Sequence, residues 1–363
     1  MTRIFQSIGG YPKYLAAIHG RHQKDASFNS QKQLFAADRF GASHLLKPSL
    51  DDDETAFYTI GNDAVLQRRW GREHGLSRRA SLDDILLAQL EAHRTEVFYD
   101  LDPTNHAVGF SARLPGCVRF RIAWRAAPSP GADFSGYDLI VCNFPSILKS
   151  YRERGWRTAY FAPGHDPAME PFAATDERPI DVLFVGSYSR HHARRSSLLD
   201  LLSRSRGSLS VRLHLEVSRM TAWAESAVGH LLLPQRLRRP PLVQAASLPG
   251  VYGIELYRRL SQAKIVLNMA IDMAGQDRGN MRCFETLGCG AALLSDDGCY
   301  PEGMTSDQTI MTYASPQDAL DVLGRMLADP DETRALALRG RNMVRKLYAK
   351  ERQFEAFTRL LDE

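Results

Sequence analysis

Residues 260–300 read LSQAKIVLNMAIDMAGQDRGNMRCFETLGCGAALLSDDGCY. Ile265-Val266-Leu267 is a short apolar, β-branched run, too brief for a helix, and predicts a buried strand. A polar, glycine-containing loop follows, with Asn268, Asp272 and Asp277-Arg278-Gly279-Asn280-Met281-Arg282. Residues 283–289 then read as a helix leading through Gly290 into a second strand, Ala291-Ala292-Leu293-Leu294. Strand, helix and strand in that order mark a parallel α/β layer. In such sheets ligands sit outside the carboxyl ends of the strands, where the loop after Leu267 emerges. The stretch therefore predicts both the layer type and the edge at which chemistry is expected.

The same pattern extends outward in both directions. Asp181-Val182-Leu183-Phe184-Val185 predicts a strand, Gly186-Ser187 a turn, residues 194–202 a helix and residues 211–217 another strand. Tyr252-Gly253 precedes a helical stretch at 255–260, residues 316–327 read as a helix, and the tail over 333–361 is amphipathic and helical. Upstream, Val97-Phe98-Tyr99, Arg121-Ile122-Ala123-Trp124, residues 138–142 and residues 158–161 predict strands, with a helix over 145–155 ending in Gly155. Two or three helices are expected in the first hundred residues, one of them opened by a cap at Ser81-Leu82-Asp83-Asp84. Ala162-Pro163-Gly164-His165-Asp166-Pro167, with Pro171 and Pro179, blocks both helix and ladder and predicts the domain linker. The expected domains are 1–165, 166–340 and a C-terminal helix over 341–363.

Bulk properties narrow the function class. A chain of 363 residues, 44% hydrophobic and 24% charged, suits two soluble globular domains. No run approaches the roughly 20 apolar residues of a membrane span, and the opening MTRIFQSIGG lacks a secretory h-region, so a cytoplasmic protein without a membrane span is expected. The five cysteines form no CxxC pair, which argues against a disulfide framework or a zinc site and for reduced, mostly buried thiols. A net charge of +4 does not call for nucleic acid, and the basic cluster at Arg236, Arg238 and Arg239 reads first as a solvated loop.

Three groups of residues carry candidate chemistry. Gly186 and Ser187, with Arg190, Arg194 and Arg195 after them, suit a diphosphate placed at a helix N-terminus, and equally suit an ordinary βα turn with exposed arginines. Neither GxGxxG nor GxxxxGK is present. Glu285, read as lying at the start of a helix, suits the two hydroxyls of a ribose or a simple N-terminal charge, and Arg282 lies on or beside its helical face. Lys264 is a further diphosphate candidate or an exposed strand lysine. On the N-terminal side, Tyr99-Asp100-Leu101-Asp102-Pro103-Thr104-Asn105-His106 follows a predicted strand and is rich in acids with a histidine; Asp100, Asp102 or His106 would line a cleft and orient a substrate hydroxyl, or the segment is a solvated, capped loop.

The segment 260–300, together with DVLFVGSYSR and the Ala162-Pro163-Gly164-His165-Asp166 linker, resembles the CgeB-type (spore maturation protein) glycosyltransferases, relatives of retaining glycosyltransferase families 1 and 4. The resemblance spans roughly residues 138 to 345. It implies an α/β GT-B fold, two Rossmann-like domains facing each other across a cleft, with the last helix crossing back to the first domain. It also implies a nucleoside-diphosphate sugar donor, UDP among the candidates, on the C-terminal domain, and an acceptor glycan, protein or small molecule on the N-terminal one. No cofactor and no catalytic metal are expected. Such enzymes carry a Glu-x7-Glu pattern; here Asp277 stands at the first position, toward the sugar, and Glu285 at the second, on the ribose. Arg190 or Arg194 would neutralise the leaving diphosphate, with Arg282 as a further contact. Tyr252, Gly253, Asn268, Gly279, Asn280 and Met281 complete the expected donor site, and Asp277, Arg282, His106 and Asp102 are the catalytic candidates. The departures are Asp for Glu at 277 and the absence of the Pro-Phe-Gly that usually follows. Retention of configuration is expected; a nucleotide-sugar epimerase or hydrolase, or a degenerate nucleotide-binding scaffold, are the alternatives.

Overall fold

Ile4–Ile8 forms the first strand, β1, although its centre is polar. Gln6 and Ser7 are buried there, and the Gln6 amide is satisfied by donating to the His44 carbonyl and accepting from the Leu46 amide. The computed structural model describes residues 2–21, 25–188, 192–207, 209–270 and 275–362. The chain divides into two compact units, Met1–Gly164 with Lys350–Glu363, and His165–Ala349.

In the first unit β1 is followed by α1 (Pro12–His19), α2 (Phe28–Asp38), α3 (Lys47–Leu50) and β2 (Ala56–Ile60). Then come α4 (Ala64–Glu73), α5 (Leu82–Ala92), β3 (Val97–Asp100), β4 (Phe120–Trp124), β5 (Leu139–Cys142), α6 (Pro145–Arg152) and β6 (Thr158–Tyr160). The strands pair in parallel in the order β2-β1-β3-β4-β5-β6. Helix starts follow their caps: Ser27 accepts from the Ser30 amide, Asp63 from Val65 and Leu66, and Ser81 with Asp84 closes a reciprocal capping box. The described residues of the first hundred thus hold five helices and three strands; β1 and β2 lie where the sequence suggested helices alone.

The second unit holds α7 (Glu170–Ala173), β7 (Ile180–Ser187), α8 (Ala193–Arg204), β8 (Val211–Glu216), α9 (Arg219–Ala224), α10 (Ala227–Leu232), α11 (Pro241–Ala246) and β9 (Ser247–Leu248). It continues through α12 (Gly253–Ser261), β10 (Ala263–Leu267), α13 (Met281–Gly288), β11 (Ala292–Asp296), β12 (Met311–Tyr313), α14 (Pro316–Ala328) and α15 (Pro330–Leu347). Its parallel sheet runs β12-β11-β10-β7-β8-β9. Successive strand residues serve opposite faces: Val182, Phe184, Ile265 and Leu267 pack with α8 and α14, while Leu183 and Val266 pack with Leu256, Tyr257 and Leu260 of α12. Each such Leu or Phe contributes about 1.5–3 kcal/mol by leaving water.

The last helix, α16 (Lys350–Asp362), belongs to the first unit. The helix expected from residue 341 begins at Lys350 instead, because residues 341–347 complete α15 and Ala349 pairs as a β-bridge with His165. No proline or glycine marks this break. Lys350 is buried, its ammonium donating to the carbonyls of Ala42, Ser43 and Leu45 and to Gln353 Oε1, and Phe357 packs on Tyr99 and Phe161.

Both sheets reverse direction once. The chain leaves β1 for β2 on one side and reaches β3 on the other; it leaves β7 for β8 and β9 and returns to β10 on the far side of β7. The carboxyl ends of β1 and β3, and of β7 and β10, are therefore the positions at which a crevice opens.

Candidate functional site

In the second unit the crevice edge is built by four loops. Strand β7 continues through Gly186 to Ser187, pairing Ser187 with Glu216 of β8, so Gly186 and Ser187 are ladder residues and the chain turns after them. This corrects the expected Gly186-Ser187 turn. Arg190 and Asp272 lie outside the described residues. Helix α8 begins after His192, whose side chain does not cap it.

Two buried arginines tie this edge together. The Arg195 guanidinium donates to the Met269 carbonyl at 2.5 Å and lies 3.3 Å from Ser187 Oγ, joining the ends of β10 and β7. Arg278 lies 2.7 Å from Asp296 Oδ2 at the end of β11 and donates to the Gly275 and Asp277 carbonyls. The sequence groups Arg195 with the diphosphate candidates and shows Arg278 only as part of the loop; the bracing contacts that both make leave no periodic signal. Arg194 donates to the Ala314 carbonyl at 2.6 Å and, with Met269, Ala270, Gln276, Arg278 and Asp296, lines a cavity of about 140 Å³.

The loop after β10 is held by the loop after β11. The Arg278 amide donates to the Cys299 carbonyl and the Cys299 amide to the Gln276 carbonyl, so Asp277 sits buried in a short parallel bridge with Cys299. Gly279 has φ +97°, a conformation that L side chains avoid. Asn280 is the N-cap residue of α13, but its amide reaches Asn268 Oδ1 at 3.2 Å rather than capping the helix. Asn268 in turn donates to Ser295 Oγ at 3.0 Å. These asparagines brace β10, β11 and the start of α13, where Met281 is the first residue.

Glu285 is not at the helix start. It is the fifth residue of α13, buried, and its Oε2 accepts from Arg282 Nη1 at 2.6 Å. Burial pushes its pKa up, the Arg282 charge and hydrogen bond oppose that, and the Asp166 charge adds to the rise. Asp166, from the linker, accepts from the Tyr257 hydroxyl at 3.1 Å. Tyr252 and Gly253 open α12, where Gly253 has φ +55° and the Tyr252 hydroxyl donates to Glu216 Oε1 at 2.5 Å. Lys264 is removed from the diphosphate candidates: it is the second residue of β10, at the opposite sheet edge, and pairs with Asp181 at 2.6 Å.

The first unit has a charged cluster at its own strand reversal. Asp100, at the end of β3 and fully buried, accepts from the Tyr137 hydroxyl and contacts His106 Nε2 at 2.9 Å; His106 Nδ1 meets Asp83 Oδ1 at 3.0 Å, and the ring stacks on Phe110. Burial pulls the imidazole pKa down, but hydrogen bonds and charges from Asp100 and Asp83 outweigh it and hold the pKa at about 9. At neutral pH His106 is thus a cation with both nitrogens engaged, unsuited to act as a base. Asp102 is half-buried, and burial pushes its carboxyl pKa up despite the hydrogen bond from Asn105. An added Cβ on Gly9 would fall 2.2 Å from Asp102 Oδ2, so the glycine after β1 lets that carboxylate lie against the backbone.

Residues 190–358 match the glycosyl transferase-like family model. Transferase chemistry is the activity this match supports. Among solved structures the chain resembles HepE from Anabaena in complex with UDP and glucose, at 12% identity and a TM-score of 0.59 over 100% of both chains. It also resembles a glycosyltransferase from Rickettsia africae, at 8% identity and a TM-score of 0.56 over 99% of this chain and 97% of that one. AviGT4, a glycosyltransferase involved in avilamycin A biosynthesis, aligns at 18% identity and a TM-score of 0.53 over 99% and 98%. No curated protein matches the chain in sequence. At these identities the structural likenesses establish the GT-B fold. Among the described residues no three His, Cys, Asp or Glu side chains gather as a metal site would require, and no helix is long and apolar enough to cross a membrane.

Proposed function

We propose that this protein is a glycosyltransferase that takes a sugar from a nucleoside-diphosphate donor, UDP being the first nucleotide to test, and delivers it to an acceptor hydroxyl. The observation that carries the reading is the gathering of Arg194, Arg195 and Arg278 around the carboxyl ends of β7, β10 and β11, beside the first turn of α8. Fixed guanidinium groups and helix amides neutralise a departing diphosphate without reorganising, which is electrostatic catalysis of developing charge. A metal ion is not required for that step. In this reading Glu285 holds the ribose hydroxyls, with Arg282 opposing the rise in its pKa that burial brings. Asp277 faces the sugar, and Tyr252 and Gly253, with the amides of α12, receive the base.

On the acceptor side Asp102 orients the incoming hydroxyl, while the His106 cation fixes Asp100 and the loop that carries Asp102. With no strong base assigned, the leaving phosphate takes the acceptor proton, which favours retention of configuration. UDP-, GDP-, ADP- and dTDP-sugars incubated in chelator, with nucleoside diphosphate release and anomeric configuration followed by NMR, test the proposal. Acceptor-dependent release supports transfer. Release to water alone favours a hydrolase, interconversion of donor sugars an epimerase, and nucleotide binding without turnover a scaffold.

A further inference from the structure

Between β8 and β9 the chain inserts α9, α10 and α11, and the packing of the first two runs opposite to that of an ordinary surface helix. Thr221, Ala224 and Gly229 face inward, while Met220, Trp223, Val228, Leu231 and Leu232 face solvent. Leu231 is 88% exposed, Leu232 67% and Val228 58%, and Leu242 of α11 adds 49%. A soluble helix buries its large apolar side chains and exposes small or polar ones. Here small residues permit close approach instead: a Cβ on Gly229 would fall 1.9 Å from the Trp223 carbonyl oxygen.

The fold of the insertion is nonetheless well satisfied. Ser218 and Ser226 cap α9 and α10 by accepting from the Thr221 and Gly229 amides. Arg238, expected to be solvated, is instead spent on carbonyls at the helix ends, donating to those of Ala224, His230 and Leu233. Arg239 is likewise consumed, in a buried bidentate pair with Glu225. Glu225 is the single acidic residue in 218–248. The exposed charge that remains on the insertion is therefore positive, from Arg219 and Arg236.

We propose that residues 218–248 dock on the surface of an anionic phospholipid bilayer. Trp223, Val228, Leu231 and Leu232 enter the boundary between headgroups and acyl chains, and Arg219 and Arg236 meet lipid phosphates. The charge complementarity selects this occupant: an apolar ridge whose own exposed charges are cations matches an anionic interface. The short helices need not span anything, because interfacial binding depends on buried apolar area and on attraction to anionic lipid, not on helix length. Docking would bring the protein to acceptors at a membrane surface, and it stands apart from the donor-site reading.

The test is flotation of the full chain with vesicles of phosphatidylcholine, with and without phosphatidylglycerol. The expected result is strong binding to the anionic vesicles alone, weakened by added salt. Leu231→Glu combined with Leu232→Glu should lower the partition coefficient by about a hundred-fold, the equivalent of two leucines left in water. Arg236→Gln should lower it by about five-fold. Leu231→Phe should retain it. Unchanged thermal melting establishes that each variant is folded. Equal partition onto neutral and anionic vesicles overturns the proposal, as does an undiminished partition of the double variant. A wild-type dimer dissolved by the double variant, with no flotation of either, also overturns it and assigns the ridge to a second copy of this chain.

Discussion

Replacing His106 by Gln removes a buried cation without much loss of volume, and the consequence depends on pH with a definite sign. The folded imidazole has a pKa near 9, against 6.5 for an unconstrained histidine. A group whose folded pKa is raised contributes stability that is full below the unfolded value and is lost as pH rises through the folded one. At 1.36 kcal/mol per pH unit, the shift corresponds to about 3 kcal/mol present below pH 6.5 and gone above pH 9. The side chain is 11% exposed, so solvent screening removes little of this. Urea unfolding followed by tryptophan fluorescence reads the first unit well, since Trp70, Trp124 and Trp156 lie there and only Trp223 lies in the second. The wild type should exceed His106→Gln in stability at low pH by a margin that shrinks by about 3 kcal/mol between pH 6.5 and the region above 9. A margin that stays constant, or one that grows with pH, would refute the Asp83–His106–Asp100 assignment.

Other perturbations report on other parts of the molecule. In Gly298→Ala the new methyl would sit 2.4 Å from the Gln276 carbonyl oxygen and 2.7 Å from Arg278 Cγ. The variant should lose about 1–3 kcal/mol in a denaturant melt, with a further loss of nucleotide affinity because Arg278 shifts; full affinity would argue against Arg278 in the site. Lys350→Met strands the carbonyls of Ala42, Ser43 and Leu45, and should destabilise the first unit by about 3 kcal/mol and make α16 the earliest site of limited proteolysis. Thiol titration in native buffer should label exposed Cys299 first and half-exposed Cys117 next. Cys142, Cys283 and Cys289 should wait for unfolding, burial having pushed the Cys283 thiol up to about 12.

The parallel strands of the second unit were legible because their apolar runs are continuous, as in Ile265-Val266-Leu267, and are bounded by glycine and polar residues. β1 was not, since Gln6 and Ser7 interrupt the run and find their partners only through tertiary contacts. The break between α15 and α16 also escaped, because a buried lysine held by carbonyls more than three hundred positions distant leaves no local mark. At the site, the glycines and asparagines around α13 stood out by composition. Arg195 drew notice only as one of three clustered arginines and Arg278 only as part of its loop, for their importance lies in what they touch. Glu285 was placed two positions too near the start of its helix, which the sequence suggests from Cys283 and which begins at Met281. The apolar ridge of α9 and α10 was not assigned from the sequence, which alone does not tell which face of a helix is covered.

Calorimetry of the purified protein against UDP, GDP, ADP and dTDP without added metal tests the central claim most directly, with Glu285→Ala as its control. Two ribose hydroxyls on one carboxylate contribute about 1.5–3 kcal/mol each, so the variant should bind the preferred nucleotide at least about a hundred-fold more weakly while melting as a folded protein. One nucleotide binding to the wild type and lost in the variant is the predicted result. The absence of binding for all four at millimolar concentration, or equal affinity in Glu285→Ala, would contradict a donor site at the carboxyl edge of β7, β10 and β11.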